Sequence, residues 1–303
     1  MKKQWNFRII AAYGSTIFLW ASAFPAIRVG LDSYTPEHLV LLRLLIASLA
    51  LIFFAILTRM QLPEWRDIPI ILVLGLLGFT VYHIALSAGE ATINAGTASL
   101  LVSTSPIFSS ILAALFLHER FGLLGWIGSI ISFCGVAILS LGKDGYFTLN
   151  SEVLLILLAS FSESIYFVFQ NRYLNKYGFL AFTSYTIWSG TFFMLLFLPG
   201  LGERIMHSSI ETTLSVVYLG LFPTMIPYFA LAYIISRIGT SEATTSLYLT
   251  PALAIIISWM WIGEIPTIFS IIGGIITIFG VIITNIKVDK KETQIMKFDQ
   301  NIL

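Results

Sequence analysis

Apolar residues run along this chain in blocks too long for strands and too uniform for the half-buried helices of a soluble domain. Ten such blocks fall at about 9–28, 37–58, 68–88, 92–117, 122–141, 152–172, 179–199, 213–235, 240–262 and 267–286. A membrane-crossing helix needs roughly 20 apolar residues, so each block predicts one span. Breakers and charges collect in the gaps: Leu62-Pro63-Glu64, Lys143-Asp144-Gly145, Asn175-Lys176-Tyr177-Gly178, Pro199-Gly200 and Gly263-Glu264. No gap is long enough to hold a soluble domain, and the residues after Asn285 read as a short tail of mixed charge.

The pattern occurs twice. PIFSSILAALFLHERFGLLGWIGSIISFCGV, Pro106 to Val136, has a counterpart in PALAIIISWMWIGEIPTIFSIIGGIITIFGV, Pro251 to Val281. One ungapped offset of 145 residues places Ala98 on Ala243, Pro106 on Pro251, Glu119 on Glu264, Gly128 on Gly273 and Gly135-Val136 on Gly280-Val281. A fixed period of this kind marks a duplicated architecture. Five spans separate each residue from its counterpart, and an odd number reverses the direction of crossing. The expected fold is therefore an all-α membrane protein of ten transmembrane helices in two inverted five-helix repeats, residues 1–141 and 142–286, with a tail at 287–303. Inverted halves suit alternating access, one half rocking against the other around a substrate held near the midplane. The alternative is that the repeat records gene duplication and nothing more.

Composition agrees with the spans. The chain of 303 residues is 57% hydrophobic and 11% charged, against about 45–50% and about 25% in soluble domains. Lys+Arg 17 against Asp+Glu 16 gives no hint of a nucleic-acid partner. The single cysteine, Cys134, excludes an intrachain disulfide. His38, His83, His118 and His207 are scattered, and His118-Glu119-Arg120 is not a metalloprotease motif, so no metal or cofactor is expected. A Gly-rich phosphate loop with its lysine is absent, which argues against ATP hydrolysis within the chain.

The start of the chain imitates a signal peptide, with Lys2-Lys3, an apolar run and then Ala21-Ser22-Ala23. The run continues through Phe24-Pro25-Ala26-Ile27, and removing it would leave nine spans and spoil the repeat, so cleavage is not expected. With the N-terminus in the cytoplasm, Lys2, Lys3, Arg8, Arg59, Arg66, Arg120, Arg172, Lys176, Arg237, Lys287, Lys290, Lys291 and Lys297 lie inside, and Arg28, Lys143 and Arg204 outside. That bias follows the positive-inside rule. Both termini are then cytoplasmic, Glu119 is on the cytoplasmic side and Glu264 on the outer side.

Particular residues now resemble a known family. Trp20-Ala21-Ser22-Ala23-Phe24 is similar to the W-[AG]-S-x-F opening of the EamA family of the drug/metabolite transporter superfamily, and Arg43 in Leu41-Leu42-Arg43-Leu44-Leu45-Ile46-Ala47 to its second-span arginine. Each half ends in the Pro, Glu, Gly and Gly-Val series quoted above. The second half departs from the pattern: Phe161-Ser162-Glu163-Ser164-Ile165 replaces the opening, and Tyr185 stands where an arginine falls. The resemblance covers nearly the whole chain. It implies a ten-helix bundle around a central cavity, with spans 5 and 10 at the periphery. It also implies a bacterial inner-membrane carrier, often an exporter. Related members move amino acids, nucleosides, sugars and toxic cations, so the substrate stays open.

Arg43 lies about six residues from the outer end of span 2. A cation at mid-bilayer costs roughly 2.5–3.5 kcal/mol on insertion scales, so it either binds a substrate carboxylate or counter-ion, or is tied to a neighbouring helix or the interface. Glu163, an acid near the middle of a span, either couples transport to protons, faces a cationic substrate, or is a fixed structural acid. His83 sits at a similar depth to Arg43 and is either a substrate contact or an interhelical donor. Pro106 and Pro251 interrupt spans 4 and 9, each freeing a carbonyl one turn earlier, with Thr104, Ser105 and Thr250 as candidate partners for such carbonyls; they are paired hinges or static kinks. Trp20, Tyr166, Tyr185, Trp188 and Tyr228 are candidate aromatic walls or interface anchors. The small, hydroxyl-rich surfaces around Ala98-Ser99, Ser103, Ala243-Thr244 and Ser246 favour close packing, with Ser99 and Tyr248 also able to line a cavity. Glu119 and Glu264 each precede a helix by a few residues and are expected to cap it. Gly125, Gly128, Gly135, Gly273, Gly274 and Gly280 permit tight packing, within a half or between the protomers of a homodimer.

The reading favours a secondary carrier that exports a small metabolite, an amino acid or derivative, with Arg43 and aromatic walls binding it and protons as the coupling ion through Glu163. The rivals are an efflux carrier for lipophilic cations and, in a different class, an intramembrane enzyme or sensor. The latter lacks a nucleophile beside a base or paired acids.

Overall fold

The computed structural model describes residues 7–119, 122–139, 151–265 and 268–285, and among them all regular elements are helical. They are α1 Phe7–Leu31, α2 Pro36–Thr58, α3 Ile68–Gly75, α4 Tyr82–Glu90, α5 Ala95–Val102, α6 Ser105–Phe116, α7 Leu123–Leu139, α8 Ser151–Phe169, α9 Asn171–Tyr177, α10 Phe179–Met194, α11 Leu201–His207, α12 Ile210–Leu221, α13 Ile226–Ile238, α14 Thr240–Thr244, α15 Thr250–Ile262 and α16 Ile268–Asn285. Eight stretches among the described residues are long and apolar enough to cross a membrane: Phe7–Leu31, Pro36–Thr58, Trp65–Glu90, Ala95–Phe116, Ser151–Phe169, Phe179–Phe197, Ile210–Ile238 and Thr240–Ile262. Leu123–Gly135 and Ile271–Gly280, in the fifth and tenth blocks of the sequence pattern, are apolar but shorter. Several basic residues used for orientation (Lys2, Lys3, Arg120, Lys143 and those beyond 286), the 141/142 boundary and the tail lie outside the described residues.

Helix starts follow local chemistry. Thr35 precedes Pro36 and its Oγ1 accepts from His38 N at 3.4 Å. Asn94 Oδ1 accepts from Thr97 N at 2.7 Å, and Ser209 Oγ from Thr212 N at 3.1 Å. Each satisfies one of the donors that a helix leaves unpaired in its first turn.

Four blocks that read as single spans are broken in the middle. Block 4 turns at Ser103-Thr104, between α5 and α6. Block 9 passes through a 3-10 segment, Thr245–Leu249, before α15. Pro106 and Pro251 are the second residues of α6 and α15. Proline lacks an N–H and clashes with the carbonyl four residues earlier, so the helix restarts there. Block 8 opens at Phe222–Met225, with Pro223 inside the break and Pro227 just after it. Block 3 carries a π segment, Leu76–Val81, whose irregular backbone is met by side chains: Ser162 Oγ donates to Leu77 O at 2.7 Å and Tyr228 Oη to Gly78 O at 3.4 Å. The π segment and the 222–225 break lie at positions related by the repeat offset, as do the breaks in blocks 4 and 9. Such backbone is tolerated at membrane depth only where protein or a cavity surrounds it.

Packing joins the two halves of the sequence closely. Helix α1 packs on α12, α13 and α15; α2 on α10 and α12; α4 and α6 on α8; α5 on α15. The expectation that one half rocks against the other as a body therefore meets a fold in which the halves interlock. Helices α7 and α16 sit at the edge, mainly against each other. A Cβ on Gly280 would lie 2.6 Å from Gly128 O. The glycine surfaces thus pack between the halves, an arrangement different from both alternatives that the sequence offered.

Candidate functional site

The broken helices surround a cavity of about 30 Å³. Its walls include Trp20, Ala23, Phe24 and Ile27 of α1, Arg43 of α2, Tyr82, His83 and Leu86 of α4, Ser99 and Val102 of α5, Ser103, Glu163 of α8, Leu247 and Thr250. The volume suits water and is far below the roughly 300–1,000 Å³ of a ligand-filled pocket.

Arg43 is 2% exposed, and its Nε donates to Thr224 Oγ1 at 3.0 Å. Thr224 Oγ1 in turn donates a hydrogen bond to Leu219 O at 2.7 Å. The open backbone at 222–225 is what puts Thr224 there. The same opening frees Pro223 O, which accepts from Trp20 Nε1 at 3.2 Å. Glu163 is also 2% exposed; Ser105 Oγ lies 3.2 Å from its Oε2 and Tyr228 Oη 3.5 Å from its Oε1. Ser105 is at the start of α6, so the break before Pro106 supplies a partner for the acid. His83 Nδ1 lies 2.7 Å from Phe79 O, a carbonyl, and is the donor in that contact. Thr250 Oγ1 is buried without a partner at the cavity wall. An aromatic group stands behind the cavity: Phe79 and Tyr228 have ring centroids 4.6 Å apart, Trp20 and Tyr228 5.2 Å, and Phe79 and Tyr166 5.3 Å.

Of the residues singled out in the sequence, Trp20, Arg43, His83, Ser99, Ser103, Glu163 and Thr250 meet at this cavity. Other candidates are placed elsewhere. Tyr166 is buried behind it, with its hydroxyl 3.3 Å from Thr186 Oγ1. Tyr248 is fully buried outside the lining. Trp188 Nε1 donates to Ser48 O at 3.3 Å. Tyr185 donates to Gln61 O and walls a separate crevice of about 410 Å³ with Gln61, Lys176 and Tyr177. There Lys176 Nζ lies 2.7 Å from both Asp67 and Glu64, and those hydrogen bonds hold its ammonium above the ordinary lysine range. Thr104 Oγ1 donates to Leu101 O at 2.8 Å, a carbonyl that also accepts from Thr104 N at 3.1 Å, whereas Ser105 turns to Ser160 O and Glu163.

The loop glutamates do not cap the helices that follow them. Glu119 accepts from Thr240 N and Ser241 N, each at 2.9 Å, at the start of α14 in the other half. Glu264 Oε1 lies 4.0 Å from Arg28 Nε, while Arg28 Nη1 donates to Glu90 O at 2.7 Å and Ala91 O at 3.2 Å. Sequence reasoning missed Glu90, which is fully buried with both carboxyl oxygens unpartnered, and Thr224. The signal for Thr224 was present: two prolines four residues apart, Pro223 and Pro227, bracket it inside an apolar block.

The EamA-like transporter family matches residues 7–141 and, a second time, residues 150–286. This chain belongs to that family. An uncharacterized transporter of Bacillus subtilis, YdfC, is 60% identical over 290 residues, covering 96% of this chain and 94% of the relative. A protein of Streptantibioticus cattleyicolor named "Probable terminal-alkyne amino-acid exporter" is 37% identical over 270 residues, covering 89% of this chain and 91% of that one. A solved crystal structure has the same fold at a TM-score of 0.71 and 18% identity, covering 91% of this chain and 96% of its own. The EamA chain is thus a multi-pass membrane transporter of a small-molecule substrate, and family and relatives alike are named as transporters rather than enzymes. For an EamA transporter, a cavity with a guanidinium, a carboxyl group, an imidazole and a free hydroxyl on otherwise apolar walls is a site able to hold a small polar solute with an apolar part.

Proposed function

We propose that this EamA transporter is a secondary active exporter of small amino acids or their derivatives. The carrying observation is that Arg43 and Glu163, both buried, line one cavity whose other walls are largely apolar. A zwitterion offers a carboxylate to the Arg43 guanidinium and an ammonium to Glu163, and Ala23, Phe24, Ile27, Leu86, Val102 and Leu247 are apolar walls matched to an uncharged side chain once the cavity widens around the substrate. The printed name of the 37% relative supports the same substrate class. The chain crosses a bacterial inner membrane ten times as two inverted repeats with both termini cytoplasmic, and works by alternating access; the paired breaks and the basic-residue bias support this arrangement. Protons drive it through Glu163, and Pro106 and Pro251 act as hinges. A lipophilic cation fits less well, because Arg43 would face it across the cavity.

The test is counterflow in proteoliposomes with labelled neutral amino acids. Exchange in the wild type and its loss in Arg43→Gln is the expected result. A wild type that exchanges no amino acid but moves quaternary cations would overturn the substrate class. Glu163→Gln is expected to remove the pH dependence of flux, and a fully pH-dependent variant would reject the coupling.

A further inference from the structure

Glu119 and Glu264 occupy equivalent positions in the two repeats, yet their surroundings differ in a way that bears on gating. Glu119 holds the N–H groups of Thr240 and Ser241, both at 2.9 Å. Subtracting the repeat offset from Thr240 and Ser241 gives Ala95 and Gly96, the first residues of α5. By symmetry these are the donors that Glu264 would hold. It does not: Glu264 lies by Arg28 at 4.0 Å, and Asn94 caps α5 through Thr97 N alone. The N–H groups of Ala95 and Gly96 have no acceptor among the described residues. One carboxylate clasp is closed and its counterpart is open.

The closed clasp is built for close approach. Gly239, just before α14, has φ +88°, and a Cβ there would stand 3.1 Å from Glu119 Oε1. A carboxylate on two N–H groups at a helix start is a charge-assisted contact that also meets the positive end of the helix dipole. It ties the loop after α6 to the start of α14, and α6 packs on α14. The cavity walls include Ile27 and Leu86, near the ends of α1 and α4, and Ser99 of α5.

We infer that Glu119 and Glu264 are alternating latches: Glu119 on Thr240 and Ser241 closes the cytoplasmic end while Glu264 stays by Arg28, and Glu264 on Ala95 and Gly96 closes the outer end when Glu119 lets go. This rests on the inverted-repeat, alternating-access reading above. The two ends use the same carboxylate-on-N–H chemistry, and the substrate tips the balance between them. Arg28 competes for Glu264 in the present state and keeps the outer latch from engaging.

The test uses the full chain in inside-out vesicles, with Cys134→Ser removing the native thiol and Ser109→Cys as the probe. Ser109 is fully buried, on the α6 segment that packs against α14. A membrane-impermeant thiol reagent is added at the cytoplasmic face. Coupling between sites typically changes populations by about fivefold or more, so Glu119→Gln is expected to raise the labelling rate by about that factor and Glu264→Gln to lower it. Thr240→Pro removes one donor N–H at a first-turn position where proline is tolerated; it is expected to act in the same direction as Glu119→Gln, and it keeps the test decisive if that variant fails to fold. Unchanged labelling in Glu119→Gln and Thr240→Pro, or a shift of the same sign for Glu119→Gln and Glu264→Gln, would overturn the latches. If substrate still alters labelling in those experiments, only the latches fail. If labelling responds to neither substrate nor any variant, the alternating-access reading fails with them.

Discussion

Arg43 illustrates how a charge is tolerated in an apolar chain. Its insertion costs roughly 2.5–3.5 kcal/mol, and the protein offsets this with Thr224, a hydroxyl placed by an opened backbone. The geometry depends on Nε and a planar fork, which lysine cannot supply. Arg43→Lys is therefore expected to fold, as judged by gel filtration in detergent, yet bind substrate about tenfold or more weakly in a direct binding assay, the scale of a lost hydrogen bond to a charged group. Gly78 makes a different point. A Cβ there would come within 2.5 Å of Tyr166 Cγ, and overpacking of this kind costs about 1–3 kcal/mol. Gly78→Ala is expected to lower the melting temperature by several degrees. Gly202→Ala, where nothing lies within 4 Å, serves as the control that leaves it unchanged or slightly raised.

At the scale of elements, the broken helices matter more than the continuous ones. The breaks before Pro106 and at 222–225 supply Ser105, Thr224 and the Pro223 carbonyl, the groups that hold Glu163, Arg43 and Trp20. Pro106→Ala restores a backbone donor and allows α5 and α6 to join. Under the hinge reading, turnover in proteoliposomes falls while the substrate dissociation constant stays within about twofold, since the fall comes from a slower conformational step. Equal losses in both quantities would instead assign Pro106 to shaping the site.

For the whole molecule, the decisive feature is the interlocking of the halves. Helices α1, α2, α4, α5 and α6 find their main partners in the second half, so neither half buries its own small and polar residues. Residues 1–141 expressed alone are expected to be degraded, and to be recovered by co-purification when residues 142–303 are supplied as a second chain. Stable accumulation of the first piece alone would show that it has a core of its own. Orientation is a second prediction at this scale: tags placed beside Glu119 and Glu264 are expected to report opposite compartments in an accessibility assay.

The sequence by itself determined the helical class, the position of nearly every apolar block, the 145-residue period and the family resemblance, because hydrophobic length and repeated residues are local properties of the chain. It also identified Arg43, Glu163, His83, Trp20 and Ser99, since a polar or aromatic residue deep in an apolar block is conspicuous wherever the block packs. Tertiary structure alone decided which of these meet. Helical rotation and the broken segments set the direction each side chain faces, so Tyr185 and Trp188 turned to Gln61 and Ser48, Glu90 was enclosed, and Glu119 reached across to a helix start more than a hundred residues away. No periodicity within one helix encodes the neighbour it will have, because that choice depends on how all the helices together satisfy their polar groups out of water.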